Sequence, residues 1–487
     1  MLPARDKLMS RGLPHQRTIF AKLFNASIGL RADQRGTVAV LMALLLPVLV
    51  GGLGLGFEVT NWYLNSRAMQ NAADAAAIAA ASNNNSNYDI EAKAVAAQYG
   101  FVDGSDNVTV TTSKSATCPA GANLDPPCYS VTISNVVPLY LSQVIGYQGD
   151  TTLNYGRAKA LNVTAIANLS KISQSICLLT MNSSGQALRT NGAPNSDFSG
   201  CTVMSNADAV CNGSNLNAYY GLAAGTNTGC GNKQLSNVSL VADPYLKMAG
   251  NIPGNTCTSY PQESGRSKKS TLPASNQWAG SLSITLADTL SGIINGNIYT
   301  GIMFCGDVQL TDDVTIHTPN DTEGAVIVIE NGQLDLNGHT LRTANGSAVT
   351  IVFSGTNGNY THYPSDNSFG KGGVLDIQAP SSSSAAFPGI AIYQDPNLNT
   401  GVDFTYAGNN PQWAISGGVY FPNADITISG DVSQSSNGAD CFVMVTNTVQ
   451  VNGTSNIYKQ SPTGAGCKLA GLVMPSVTIE GRGQLVY

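Results

Sequence analysis

One uncharged stretch of this chain is long enough to cross a membrane. It covers residues 37–57 and lies between Arg35 and Glu58. A helix rises 1.5 Å per residue, so this stretch covers about 30 Å, the thickness of a bilayer hydrocarbon core. The pair Trp62–Tyr63 follows at once, where the aromatic belt of a membrane interface is expected. We therefore predict a transmembrane helix over residues 36–58.

Two other interpretations of the stretch are weaker. A cleaved signal peptide needs a small-residue cleavage site soon after a shorter apolar core, whereas such residues come only near Ala77. In a type IV prepilin, cleavage follows a Gly and a Glu lies five residues further on. Gly36 is suitably placed, but the fifth residue after it is Leu41 and the nearest acid is Glu58. An uncleaved anchor is the favoured interpretation.

Charge is divided unevenly along the chain. Residues 1–35 contain seven of the 24 Lys/Arg and two of the 30 Asp/Glu, which leaves 17 basic against 28 acidic residues after them. A basic leader before an apolar helix predicts a cytoplasmic N-terminus. The acidic remainder argues against nucleic acid as a partner.

An alanine-rich segment follows the apolar stretch. Residues 66–82, SRAMQNAADAAAIAAAS, have high helix propensity and contain no Gly or Pro. Residues 88–100 predict a second helix, with Gly100 as its C-cap. Small side chains form a thin stripe on the first helix: Met69, Ala73, Ala76, Ala77 and Ala80. The stripe is either part of a simple spacer or a docking surface for similar helices, and the sequence leaves both open.

The apolar stretch and the alanine segment together resemble the N-terminal module of the TadE/TadG-like proteins of the Flp (tight-adherence) pilus system. The residues that carry the resemblance are Arg35, Gly36, Ala39, Ala43, Pro47, Gly54, Glu58 (where the family usually has Asp) and Gln70 to Ala81, including Ala73 and Asp74. It implies a single-pass inner-membrane protein with a periplasmic body that takes part in assembly, anchoring or presentation of a pilus. Its implied partners are other pilus-assembly proteins, reached through the transmembrane helix and the alanine-rich stem. The family is not enzymatic.

All ten cysteines lie after the apolar stretch. They are Cys118, Cys128, Cys177, Cys201, Cys211, Cys230, Cys257, Cys305, Cys441 and Cys467. An even number on one side of a membrane segment predicts disulfides in an oxidising compartment. Local pairs such as Cys118–Cys128 and Cys441–Cys467 fit this prediction, but the sequence does not give the full connectivity.

The remaining chain is expected to be mainly β. Alternating patterns predict strands at 107–113, 129–136 and 152–166, and residues 137–146 predict a short amphipathic helix. We divide the chain into a basic leader (1–35), a transmembrane helix (36–58), a helical stem (59–100), a small α+β head (101–168), an irregular disulfide-stapled β region (169–280) and a repetitive β domain (281–487).

A five-residue sequence pattern, which we call the repeated phrase, recurs in the last domain. Its first and third residues are apolar and its fifth is Gly. It reads LDLNG at 334–338, ITISG at 426–430, VQVNG at 449–453 and VTIEG at 477–481. Short strands that end in Gly corners favour a right-handed parallel β-helix. The Asn-Gly corners are also compatible with antiparallel hairpins in a β-sandwich, which is the alternative fold.

No catalytic, cofactor-binding or metal-binding residues are predicted. Asp312 and Asp313 are adjacent in a strand and should point to opposite faces unless a bulge intervenes, and His339 has no partner at metal-ligand spacing. A non-enzymatic membrane protein is therefore expected. The alternatives are an adhesin-like module that binds glycan or envelope components through exposed Tyr and Asn of residues 354–369, and, less favoured, an envelope carbohydrate-active enzyme.

Overall fold

The computed structural model divides the chain into two compact units: residues 1–170 with 480–487, and residues 171–479. The residues that it describes are 35–83, 86–116, 118, 127–154, 156–192, 198, 201–264, 270–294, 296–365, 373–408, 412–430, 441–453, 467 and 471–486. The predicted leader, residues 1–35, lies outside the described residues except for Arg35.

The first unit joins two helices to a small antiparallel sheet. Its elements are α1 (Arg35–Asn83), α2 (Tyr88–Gln98), β1 (Val108–Ala116), β2 (Cys128–Pro138), a 3-10 turn (Ser142–Ile145), β3 (Thr151–Leu153) and β4 (Gly156–Thr180). β2 lies between β1 and β4, and β3 pairs with the start of β4, all antiparallel. The strands predicted at 107–113 and 129–136 and the second helix are confirmed, whereas the strand predicted at 152–166 is divided between β3 and the start of β4.

The 3-10 turn replaces the amphipathic helix that the sequence predicted over 137–146. β2 continues to Pro138, so little chain remains for a helix. The turn then ends at Gly146, whose φ is +90°. A left-handed residue of this kind terminates helical structure, and Gly adopts it without a Cβ clash.

The alanine-rich helix forms one side of the core of this unit. Met69, Ala73, Ala76, Ala77 and Ala80 are at most 1% exposed. They pack in one cluster with apolar side chains of all three long strands: Val108, Val110, Tyr129, Val131, Ile133, Val163, Ala165 and Ala167. Small side chains let the helix lie close to the sheet. The segments predicted separately as stem and head therefore fold as one body, because the alanine side of the helix and the apolar side of the sheet cover each other.

The second unit is built mostly from short strands, which we number β5 to β25. The strands are β5 (Gln186–Asn191), β6 (Thr202–Ser205), β7 (Asp208–Asn212), β8 (Tyr220–Ala223), β9 (Asn227–Thr228), β10 (Lys233–Leu235), β11 (Gln277–Ser283), β12 (Thr289–Ser291), β13 (Ile298–Cys305), β14 (Val308–His317), β15 (Ala325–Glu330), β16 (Leu334–Asp335), β17 (Thr340–Thr343), β18 (Val349–Ser354), β19 (Pro364–Ser365), β20 (Val374–Asp376), β21 (Ile390–Gln394), β22 (Phe404–Gly408), β23 (Gln412–Trp413), β24 (Gly417–Gly430) and β25 (Phe442–Asn452). The last strand, β26 (Ser476–Leu485), runs from this unit into the first, where the Val486 N–H donates to the Ile166 carbonyl.

Strand pairing in the second unit is parallel almost throughout the described residues. One ladder runs β13–β15–β18–β21–β24–β25 and continues through the end of β4 to β6, β8 and β10. A second ladder joins β11, β14, β16, β17, β19, β20 and β23. The pair β12–β13 is antiparallel. The Asn-Gly corners thus do not form the hairpins of a sandwich: the LDLNG strand, β16, pairs in parallel on both sides.

Two copies of the repeated phrase stack directly on each other. Ile426 of ITISG is opposite Val449 of VQVNG, and Ile428 is opposite Val451. All four side chains are at most 2% exposed. The two-residue apolar spacing therefore places equivalent side chains in rows inside the unit.

Residues 171–235 form short parallel strands, whereas the described residues between 236 and 276 contain no strand and two 3-10 turns, Leu246–Asn251 and Ala274–Asn276. Leu188 of β5, Val203 of β6 and Leu222 of β8 are fully buried and share one continuous core with Ile327 and Val443. The sequence pattern is weak because these strands have only three to six residues. The first part of the region predicted at 169–280 therefore continues the parallel ladder, and the rest is irregular, as the sequence predicted.

Candidate membrane-anchor module

Helix α1 carries the predicted membrane span and the predicted stem as one continuous element. It has 49 residues, about 73 Å at the usual rise, and Pro47 lies inside it without ending it. In the part of the chain that the structure describes, it is the one helix long and apolar enough to cross a membrane, over Val38–Ser82. The side chains from Val38 to Val50 are all exposed.

One face of α1 is buried at helical spacing from Gly51 onward. The residues on this face are Gly51, Gly54, Glu58, Met69, Ala73, Ala76 and Ala80, with Trp62 and Asn65 half-buried between them. Steps of three and four residues keep side chains on one side of a helix. The buried face that contains the alanine stripe therefore extends into the predicted membrane span.

The N-terminal part of this face contacts a loop of the head, residues Leu139–Tyr147, which we call the clasp. A Cβ atom added at Gly51 would lie 2.5 Å from Cγ2 of Ile145, and one added at Gly54 would lie 2.5 Å from Cβ of Leu141. Such distances exclude any side chain at either position unless the clasp moves. Trp62 contacts Tyr147 at the other end of the clasp, with ring centroids 5.7 Å apart.

Glu58 holds the clasp by its backbone. Its side chain is 2% exposed. Oε1 accepts hydrogen bonds from the N–H groups of Tyr140 and Leu141, and Oε2 accepts one from Ser142 at 3.2 Å. These N–H groups lie at the start of the 3-10 turn and have no acceptor within it. The carboxylate therefore accepts hydrogen bonds from donors that the turn itself leaves unpaired.

The other predicted motif residues have more local roles. The side-chain amide of Gln70 donates to Asp74 Oδ1 at 2.8 Å, one helical turn away. Ala73 is buried against the sheet, and Pro47 is exposed. Arg35 and Gly36 form the start of α1. The sequence had indicated Gly54 and Glu58 but not their partner, the clasp. Gly51, Gly54 and Glu58 lie at helical spacing from the alanine stripe. This spacing was the sequence signal that could have predicted the contact with the clasp.

The alanine stripe is not a free docking surface. Its members are covered by the sheet of their own unit, as described above, and they are not a spacer either. A docking surface for similar helices on these residues is therefore wrong. What the described part of α1 leaves exposed on all sides is the segment before Gly51.

The ten cysteines form five pairs: Cys118–Cys128, Cys177–Cys201, Cys211–Cys230, Cys257–Cys305 and Cys441–Cys467. The Cα atoms of each pair are 4.6 to 6.1 Å apart, within the range of disulfides. No cysteine is free. Both local pairs suggested from the sequence are confirmed.

Asp312, Asp313 and His339 lie together at the surface of the second unit. The register of β14 against β11 shifts between Trp278 and Gly280, so the bulge that the sequence argument allowed for is present. One ligand atom of each side chain lies within 4.8 Å of the others. Both aspartates are exposed, and their carboxylates already accept backbone N–H groups, of Asp313 and Thr340.

A second acidic group, which the sequence did not indicate, is buried in the same unit. Glu330 is 3% exposed and Asp395 is 8% exposed, and Ser354 between them donates to Asp395 at 3.1 Å. Burial, and after it the charge of Asp395, raise the pKa of Glu330 to about 7. Glu330 Oε2 has no hydrogen-bond partner among the described residues. Both acids are shielded from solvent, so this is a feature of the core.

The loop expected to bind glycan in the adhesin alternative does not expose its tyrosines. Tyr360 is half-buried and packs against Tyr260, with ring centroids 5.4 Å apart. Tyr363 stacks on Phe404 at 5.0 Å. Residues 366–369 of that loop lie outside the described residues. The described tyrosines therefore serve packing within the unit.

Comparison with known proteins connects the helix to one family. The sequence model of the Flp pilus-assembly TadE/G-like family, Tad, matches residues 36–83. No curated protein and no solved structure matches the chain. The match covers most of α1, including Gly51, Gly54, Glu58 and the alanine stripe. The N-terminal module of this chain, residues 36–83, is therefore similar to the Flp pilus-assembly TadE/G-like family.

Proposed function

We propose that the chain is a single-pass inner-membrane protein of the bacterial Flp pilus system. Its N-terminus is cytoplasmic, its β-rich body is periplasmic, and it takes part in assembling, anchoring or presenting the pilus. The match of residues 36–83 to the TadE/G-like family carries this proposal. The exposed apolar start of α1 supports the membrane span, and the basic leader supports the orientation.

The cysteine pairs support a periplasmic body. All five lie after the span, and disulfides persist in oxidising compartments such as the periplasm. We further propose that the second unit is a parallel β-helix, a stiff form suited to display. The long parallel ladders and the stacked repeat phrase support that fold.

The location is tested by carbonate extraction of membranes from the native host, combined with maleimide-polymer labelling of thiols trapped in acid. The chain should stay in the pellet, and its cysteines should react only after reduction. A chain in the soluble fraction, or one with ten reactive thiols in cells, would contradict the proposal.

The pilus role is tested by deleting the gene and counting surface filaments. Full-length protein should restore them. A variant in which residues 37–50 are exchanged for an unrelated apolar sequence of equal length should remain anchored but fail to restore them, because this exposed segment is the surface left for partners. Normal filaments in the deletion strain would contradict the pilus role.

A further inference from the structure

We infer that the clasp, residues Leu139–Tyr147, is inserted among the lipid acyl chains of the leaflet from which the body emerges. The inference rests on the membrane span proposed above. It adds a second membrane contact, made by the folded head and separate from the helix. The partner is the hydrocarbon of the bilayer, and the contact surface is the outer side of the clasp.

The depth of the clasp follows from its contacts on α1. Ile145 contacts Gly51 and Leu141 contacts Gly54, and both glycines lie inside the uncharged stretch 37–57. Gly51 precedes Glu58 by seven residues, about 10 Å along the helix axis. If Glu58 marks the edge of the hydrocarbon, Ile145 lies about 10 Å below it.

The alternative is a membrane that ends before the clasp begins. The uncharged helix left for the bilayer would then be residues 37–50, about 21 Å, which is well short of a core of about 30 Å. A stretch of that length would require strong thinning of the bilayer. Insertion of the clasp lets the full stretch remain in the membrane.

Most exposed side chains of the clasp are apolar, and the amide of the exposed Gln143 donates to the Leu139 carbonyl at 2.8 Å. Tyr140 is 67% exposed, Val144 65%, Ile145 49% and Leu141 38%. Leu141 and Ile145 lie against Gly54 and Gly51 of α1, whose sequence neighbours Leu53 and Val50 are exposed apolar residues, so the two surfaces adjoin. An exposed apolar patch of this kind is unfavourable in water and favourable in lipid.

The backbone of the clasp is also suited to hydrocarbon, where unpaired N–H groups are costly. Glu58 accepts the N–H groups of Tyr140, Leu141 and Ser142. The N–H of Leu139 is bonded to the Arg157 carbonyl, and those of Val144, Gly146 and Tyr147 to carbonyls within the clasp. The three donors in turn compensate the carboxylate for its burial. Irregular backbone thus enters the apolar zone with these seven N–H groups paired.

The depth of the clasp can be measured with a nitroxide spin label. Because no native cysteine is free, a Val144→Cys substitution gives a single labelling site in the oxidised full-length chain. The protein is reconstituted into vesicles of phosphatidylethanolamine and phosphatidylglycerol. Accessibility of the label to oxygen, which partitions into lipid, is compared with accessibility to a water-soluble nickel chelate.

Two other sites calibrate the measurement. Val48→Cys lies in the exposed part of the span, and Val102→Cys lies on the exposed surface of the head. We expect the oxygen-to-nickel ratio at position 144 to approach that at 48 and to exceed that at 102. A ratio at 144 equal to that at 102, with 48 still lipid-like, overturns the inference and leaves the span intact. A water-like ratio at 48 overturns the span itself.

A pair of glycine substitutions tests whether α1 holds the clasp at this depth. Gly54→Ala inserts a methyl group against Leu141, whereas Gly52→Ala meets nothing within 4 Å in the described structure. Both changes favour the helix equally. In the Val144→Cys background, Gly54→Ala should move the label toward the water-like ratio and Gly52→Ala should not. Equal ratios for the two variants contradict the contact that sets the depth.

Discussion

At the scale of single residues, Glu58 joins two parts of the chain that are 82 to 84 positions apart. It is the one acid immediately after the apolar stretch, and it accepts three backbone N–H groups from the clasp. These hydrogen bonds explain why an acid stands at this position of the segment that matches the family. A carboxylate of either length, Asp or Glu, can act as such an acceptor.

We predict that Glu58→Gln loosens the clasp. The amide has one acceptor oxygen and no charge, so the clasp should lose about 1–3 kcal/mol of local stability. Hydrogen exchange of the Tyr140, Leu141 and Ser142 amides should accelerate, while Val131 in the middle strand stays protected. Glu58→Asp should lie closer to wild type. Equal acceleration at Val131 would show general unfolding instead.

Glu330 should make the stability of the second unit depend on pH. Its folded pKa is about 7 and its ordinary value is 4.5, so between these values the unfolded chain loses a proton that the folded chain keeps. The stability that Glu330 contributes should be greatest below pH about 4.5 and fall by about 3 kcal/mol as pH rises to about 7. Glu330→Gln should remove this part of the slope, while Asp307 and Asp376, whose pKa values burial also raises, keep theirs.

The measurement is the urea midpoint of the full-length protein at pH 5 and pH 8, followed by tryptophan fluorescence. Trp278 and Trp413 are both buried in this unit. Glu323→Gln, at an exposed acid before the same strand, is the matched control and should keep the wild-type slope. An unchanged slope in Glu330→Gln would refute the assignment.

At the scale of elements, α1 shows how a composition of small residues serves packing. The alanines are buried by a sheet, and a larger side chain there has no room. The same face carries glycines where the clasp approaches. The helix is therefore specialised along one side over most of its length.

We expect Ala76→Leu to destabilise the first unit by about 1–3 kcal/mol, because extra methyl groups in a packed core force the backbone apart. Ala75→Leu, on the half-buried side of the same turn, should cost much less. Exchange of the protected β2 amides reports the difference. Equal effects of the two substitutions would show that the stripe is not tightly packed.

At the scale of the whole molecule, the second unit begins and ends in the middle of its own ladder. β25, the last strand of the ladder, pairs on one side with β24 and on the other with β4, where the unit starts. Val445 is opposite both Tyr420 and Leu179. β10 lies at one edge of the described ladder and pairs with β8.

We predict that Val445→Pro destabilises the second unit by at least about 3 kcal/mol, since proline removes a donor and distorts a central strand. Gln234→Pro in β10 should destabilise the unit less. The Lys233 N–H donates to the Tyr219 carbonyl, so in an extended strand the N–H of Gln234 points to the opposite side, away from β8. Urea unfolding of the two variants tests this. Similar midpoints would mean that β25 is not the strand that joins the two halves.

The sequence by itself determined the features that depend on near neighbours along the chain. An uncharged stretch of bilayer length, an alanine segment in helical phase and strands of alternating pattern are local properties, and even the cysteine count indicated the disulfides. Only the tertiary structure decided that Glu58 meets the clasp, that the alanine stripe is covered by its own sheet, that a bulge brings Asp312 and Asp313 together, and that β25 lies beside β4. These contacts join residues far apart in sequence. These contacts are stabilised by the fit between two surfaces. The periodicity of a sequence shows that a surface is apolar but not which other surface will cover it.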